Sequence, residues 1–177
     1  MPLNIKPLKE ITILLMGPIF QNIAYILLLF VFDSNLVLKY HLGILIFNLL
    51  PIYPLDGGKL LNIFFTKIMP YKQSYRLVII ISYIMTIIIL LNNNVLTINT
   101  ILTYIFLIYI IRKEQLKTNY LYNKFLLERY LNNYSYKKVK IVNNINSIYR
   151  TKNNIIRDGN KYYYEKEYLN RKYDKFW

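Results

Sequence analysis

Apolar residues gather into four long runs, separated by short polar interruptions. Ile11 to Phe32 carries no charge and is long enough to cross a bilayer as a helix. Asp33-Ser34-Asn35 reads as a turn. A second run follows from Leu36 to about Leu55, with Lys39 and His41 near its start and two prolines near its end. Thr66 to Arg76 is a polar connection holding Lys67, Lys72 and Arg76. Leu77 to Leu91 is apolar and somewhat short for a span, Asn92-Asn93-Asn94 is a tight turn, and Val95 to Ile111 is the last run. The pattern predicts an all-α fold: a polytopic transmembrane helical bundle of about four spans (11–32, 36–55, 77–91 and 95–111). A membrane domain at 1–111 is followed by a short basic cytoplasmic tail at 112–177.

The tail has no long apolar run. Leu116, Tyr120, Leu127 and Leu131 have helix-like spacing, which predicts an interfacial helix over Arg112 to Leu131. Ile155-Ile156-Arg157, then Asp158-Gly159, then Tyr162-Tyr163-Tyr164 reads as a small hairpin, because Asp-Gly suits a tight turn. Basic residues interleaved with tyrosine suit anionic lipid or RNA, but the simpler account, and the one favoured, is a solvated cytoplasmic tail beside a negative leaflet. No specific nucleic acid partner is expected.

Composition supports a membrane protein. Of the 177 residues, 55% are hydrophobic and the mean hydropathy is +0.23, more apolar than a soluble domain of this length usually is. Formal net charge is +14, and after Ile111 there are 16 Lys/Arg against 6 Asp/Glu, so most of the excess lies in the tail. The N-terminus, the Thr66–Arg76 connection and the tail are basic, while the Asp33 and Asn92 turns hold no Lys or Arg. This places both termini in the cytoplasm of a multi-pass cell-membrane protein. Lys39 is read as snorkelling to the outer interface. No cleaved signal peptide is read at Met1. With no cysteine there is no disulfide framework and no thiolate metal site, and the single histidine, His41, severely limits any histidine-based site.

One stretch departs from the pattern. Asn48-Leu49-Leu50-Pro51-Ile52-Tyr53-Pro54-Leu55-Asp56-Gly57-Gly58-Lys59 puts an amide, an acid, two prolines and two glycines into an apolar region. Asp56 is the only acidic residue between Asp33 and Glu114. A carboxylate inside a span is costly and marks a functional position by default. Pro51 and Pro54 remove backbone donors and disrupt helix, and Gly57 and Gly58 allow a tight turn or a close approach. Broken helix at membrane depth is tolerated where it is buried in protein or lines a wet cavity. The residues alone leave two readings of Asp56: a metal ligand, or a buried, hydrogen-bonded residue at a helix break.

Phe47 to Leu60 resembles the second signature of the site-2 protease family of intramembrane zinc metalloproteases, most of all its sporulation type. Lys6-Pro7-Leu8-Lys9-Glu10 followed by Gly17-Pro18-Ile19-Phe20-Gln21-Asn22 resembles the family's pre-span segment and its third core helix. The resemblance implies zinc as cofactor, Asp56 as its carboxylate ligand, and Asn48 as a hydrogen-bond donor to substrate backbone or an oxyanion. It implies that Pro51, Pro54, Gly57 and Gly58 shape the site. It also implies a membrane-tethered protein substrate in the lipid bilayer, such as a pro-transcription factor, cut near the cytoplasmic face. The family's His-Glu-x-x-His motif, which supplies two ligands and the general base, is not in this sequence. His41 does not replace it: fifteen positions from Asp56 is about 20 Å of helix rise, which suits an interfacial or packing histidine. Three explanations follow: a fragment of a longer product, one half of a split enzyme, or a non-catalytic relative. The alternative function is a membrane interaction protein that docks a partner or ribosome through its spans and basic tail. A transporter has little support from one intramembrane acid and no internal repeat.

Overall fold

A computed structural model describes residues 3–4, 6–30, 34–92, 97–132 and 134–174. Five helices come first: α1 (Pro7–Leu28), α2 (Ser34–Leu49), α3 (Asp56–Ile68), α4 (Tyr71–Asn92) and α5 (Ile98–Leu131). Three strands follow, β1 (Val139–Val142), β2 (Asn153–Asp158) and β3 (Lys161–Tyr164), then α6 (Glu165–Tyr173). The fold is mostly helical, and the three-stranded sheet amends the all-α expectation. The turns expected at Asp33 and at Asn93-Asn94 lie outside the described residues.

Helix boundaries differ from the predicted spans for local reasons. Pro7 opens α1, where its missing N–H costs nothing. The second run ends as a helix at Leu49 rather than Leu55, because Pro51 cannot continue the ladder. The region expected as a polar connection is helical on both sides of Met69-Pro70, since Lys67, Lys72 and Arg76 are compatible with helix and only Pro70 interrupts it. No glycine or proline lies between Ile98 and Leu131, so the last run and the expected interfacial helix form one helix of 34 residues. Among the described residues two helices, α1 and α4, are long and apolar enough to cross a membrane.

The chain divides into two compact units, and α3, α4 and α5 contribute residues to both. The helical unit holds Pro7–Ile63 and Val78–Glu114. In it, α1 meets α2 through Gln21, whose Nε2 donates to the His41 carbonyl at 3.0 Å, and through Tyr25, whose ring stacks on His41 at 4.3 Å. No described residue of α1 is buried, and large side chains such as Phe20, Leu27, Ile84 and Ile105 are exposed. Apolar surface on this scale suits lipid as the surrounding solvent.

The second unit holds the described parts of Met1–Lys6, Phe64–Leu77 and Gln115–Trp177. Its core packs Tyr71, Tyr122, Phe125 and Leu126 against Val142, Ile148, Ile156 and Leu169. Tyr71 stacks on Phe125 with centroids 4.3 Å apart. The strand order is β1-β2-β3, with β1 parallel to β2 and β2 antiparallel to β3. Gly159 sits at the β2–β3 turn with φ 59°, a conformation that glycine adopts without strain. Burial pushes the Tyr122 phenol above its ordinary range, helped by the nearby Glu165 charge, so the hydroxyl remains a donor to the Ile145 carbonyl.

One polar network ties the sheet to α5. Arg129 is 6% exposed; its Nε and Nη2 donate to the two oxygens of Glu165, the second at 2.7 Å. Its remaining donors reach the carbonyls of Arg150 (3.1 Å) and Lys152 (3.3 Å). Asn154 donates to Glu165 Oε2 at 2.8 Å and to the Tyr149 carbonyl at 3.0 Å, and accepts from the Tyr149 N–H at 2.9 Å. Removing one partner of a buried pair costs about 3–5 kcal/mol, because the other charge is left uncompensated. Arg129→Met is therefore expected to expose β2 to fast amide exchange while α1 and the Val78–Asn92 part of α4 keep theirs. Unchanged β2 protection would refute this role of Arg129.

Candidate functional site at the helix break

The break between α2 and α3 is built from six residues, Leu50 to Leu55. Within it the Leu50 N–H donates to the Phe47 carbonyl (3.2 Å), Ile52 N–H to Leu50 (2.7 Å) and Leu55 N–H to Ile52 (2.8 Å). Helix resumes with the Lys59 N–H donating to Leu55 at 3.1 Å. The Tyr53-Pro54 peptide is cis. Ile52 is fully buried and anchors the segment.

A side chain of α4 satisfies the backbone that the prolines free. The Tyr53 N–H donates to Ser82 Oγ at 2.7 Å, and Ser82 donates in turn to the Val78 carbonyl at 2.8 Å. Thr86, one turn on, donates to the Ser82 carbonyl at 2.8 Å. Both hydroxyl residues are buried. A free backbone N–H in apolar surroundings is costly, so Ser82 explains how the chain unwinds here. Sequence reasoning missed Ser82 and Thr86. Their signal was present: two hydroxyls four residues apart inside an otherwise apolar run, on one helix face.

The two glycines set the distance between α3 and the end of α2. A Cβ on Gly57 would fall 2.1 Å from the Leu49 carbonyl oxygen and 2.4 Å from that of Leu50. A Cβ on Gly58 would fall 2.5 Å from the Tyr53 nitrogen. Any side chain at either position would force backbone apart, so the close approach requires glycine.

Asp56 is the first residue of α3, where a negative charge is favoured by the unpaired N–H groups of the first turn. Its Oδ1 pairs with Lys59 Nζ at 3.1 Å; the two side chains are 26% and 39% exposed. Gly17 of α1 faces its other oxygen: a Cβ there would lie 3.3 Å from Oδ2. The Gly-Pro helix and the Asp-Gly-Gly signature, separated by almost forty residues in sequence, therefore meet at this carboxylate. Asn48 lies half-buried in the last turn of α2, just before the break. Pro51 and Pro54 lie within the break.

His41 is held away from this acid in its stack on Tyr25. Zinc in a catalytic site takes three protein donors. Among the described residues no three His, Cys, Asp or Glu side chains come together, and the sequence has no cysteine. The described residues do not build a zinc site unaided, and Asp56 is the acid they present at the break.

Residues 35–92 match peptidase family M50, a segment that contains Asn48, the break, Asp56 and Ser82. The chain is 34% identical to stage IV sporulation protein FB of Bacillus subtilis (strain 168), over an alignment of 137 positions covering 71% of this chain and 48% of the relative. It thus spans about half the length of the curated relative it matches.

The glycine contacts yield a direct test. Gly57→Ala and Gly58→Ala are each expected to destabilise the helical unit by about 1–3 kcal/mol, the usual cost of overpacking, and to speed amide exchange at Ile52 and Leu55. Gly43→Ala, inside α2 with no atom within 4 Å of an added Cβ, is the control and should destabilise nothing, since alanine is the better helix former. Equal thermal unfolding of all three variants would show that the close approach does not hold the break.

Proposed function

We propose that this chain, which carries a peptidase family M50 segment and resembles the site-2 proteases, forms part of an intramembrane metalloprotease acting on a membrane-tethered protein. The observation that supports it is the placement of Asp56. An acid is presented at a helix start, beyond an unwound segment, with Gly17 of α1 facing one of its oxygens. In this reading Asp56 is the carboxylate donor that the chain offers to zinc. The other donors and the general base belong to residues outside this sequence. Asn48 hydrogen-bonds the substrate backbone or the oxyanion; Pro51 and Pro54 unwind the chain before Asp56, and Gly57 and Gly58 let α3 pack closely against it.

The same reading takes four membrane spans with both termini in the cytoplasm. Helices α1 and α4 are two of them, and α2 and the first half of α5 are the others. A pro-transcription factor is a fitting substrate for such an enzyme.

The Lys59 ion pair favours a second reading. Asp56 already has a cationic partner within its own helix, so a non-catalytic chain could keep this break and use its spans and basic tail to hold a partner or ribosome.

Substrate cleavage in the assembled enzyme distinguishes the two. Co-expression with a segment supplying His-Glu-x-x-His and a membrane-tethered reporter should give zinc-dependent cleavage. Asp56→Ala should abolish it, and Asn48→Ala should slow it roughly 10²–10³-fold, as loss of an oxyanion donor does. Unchanged cleavage by Asp56→Ala would sink the ligand assignment. Partner binding that survives Asp56→Asn, without cleavage in any combination, would establish the second reading.

A further inference from the structure

The second unit carries a surface that the proposed protease chemistry does not use. Alternate residues of a strand share a face, and the register aligns them across the sheet. Ile141, Ile155 and Tyr164 form one row, and Arg157 and Tyr162 the next. The opposite face carries Val142, Asn154 and Ile156, all buried in the core. The first face therefore points outward, yet it is apolar and aromatic: Ile141 is 55% exposed, Tyr162 57% and Tyr164 73%. On an antiparallel or mixed sheet with one solvated face, that face is normally polar, so these rows lack the partner their composition suits.

The charges say what that partner is. None of the strand positions on this face is acidic, and Arg157 stands within it. The acids of the surrounding chain are engaged elsewhere: Glu165 with Arg129, Glu167 with Arg171, and Asp174 with the Tyr130 hydroxyl. Asp158 pairs in register with Lys161 on the other face. Lys137, Lys138 and Lys140 leave the neighbouring edge exposed and basic. Tyrosine concentrates at membrane–water interfaces, where its ring is apolar and its hydroxyl is wet. Basic side chains are drawn to anionic leaflets. Two helices of the same chain are apolar enough to cross a bilayer, so the unit is tethered where even weak surface affinity is effective.

We propose that this outer sheet face docks on an anionic lipid surface, with Tyr162 and Tyr164 at headgroup level and Arg157 pairing with lipid phosphate. The docking is independent of the protease reading and holds for a catalytic or a non-catalytic chain.

The absence of cysteine makes the test clean. The full chain, carrying Tyr162→Cys or, as the opposite-face control, Lys161→Cys, is placed in nanodiscs of phosphatidylcholine alone or with added phosphatidylglycerol. Reaction with a charged maleimide is then timed. Phosphatidylglycerol should slow labelling of Tyr162→Cys about five-fold or more and leave Lys161→Cys unchanged. High salt should reverse the protection, because it screens charge. Adding Arg157→Gln to Tyr162→Cys should weaken it. Equal Tyr162→Cys rates in both lipids would overturn the proposal, as would equal protection in both, which would mean that protein covers the face. Protection by added single-stranded RNA in phosphatidylcholine discs, with none from phosphatidylglycerol, would overturn it in favour of nucleic acid.

Discussion

The helical unit depends on a close contact between backbones, where the first turn of α3 lies against the end of α2 with no side chain between them. That contact fixes the direction in which α3 leaves the break, and so fixes where Asp56 stands. It works only because the freed backbone groups find partners. Turn hydrogen bonds satisfy the amides of Leu50, Ile52 and Leu55, and the Ser82 hydroxyl satisfies that of Tyr53. A chain in apolar surroundings cannot leave such groups to solvent. Prolines, glycines and one serine on another helix are thus parts of a single device.

The second unit is specified by a different kind of contact. Arg129 brings a charge into a buried position and surrounds it with Glu165, two carbonyls and the rings of Phe125 and Tyr136. Apolar side chains of similar volume would often be as stable there. What the guanidinium adds is direction, since its planar donors fit one arrangement of α5, the Arg150–Lys152 turn and the start of α6. Asn154 works similarly within the sheet, closing on Tyr149 in both directions.

The sequence is legible where a residue acts on its own backbone. Proline and glycine mark the break, and Asp158-Gly159 marks the β2–β3 turn, because each constrains a few adjacent dihedrals. It is less legible where outcomes depend on what does not happen. Lys67, Lys72 and Arg76 signal polarity but do not stop a helix, so α4 begins six residues before the apolar run does. Partners distant in the chain are harder still. β1 pairs with β2 in parallel across a ten-residue connection holding only a short 3₁₀ turn, and no local signal announces it. Nor does anything near Gly17 indicate that it will face the carboxylate of Asp56.

The Asp56 carboxylate carries its own compensation within its helix. Unpaired, Asp56 would be a charge beside apolar helices, which is expensive. The Lys59 ammonium, one turn along, compensates it without any residue from outside the helix. A pair exposed to this degree contributes only about 0–1 kcal/mol, and Lys59 is long and flexible enough to swing away. The arrangement therefore orients the acid while holding it weakly. A tightly buried ion pair, such as Arg129 with Glu165, would fix the local structure equally well but would not release its carboxylate. The chain uses the strong pair where it needs only a fold, and the weak one where the acid is proposed to act.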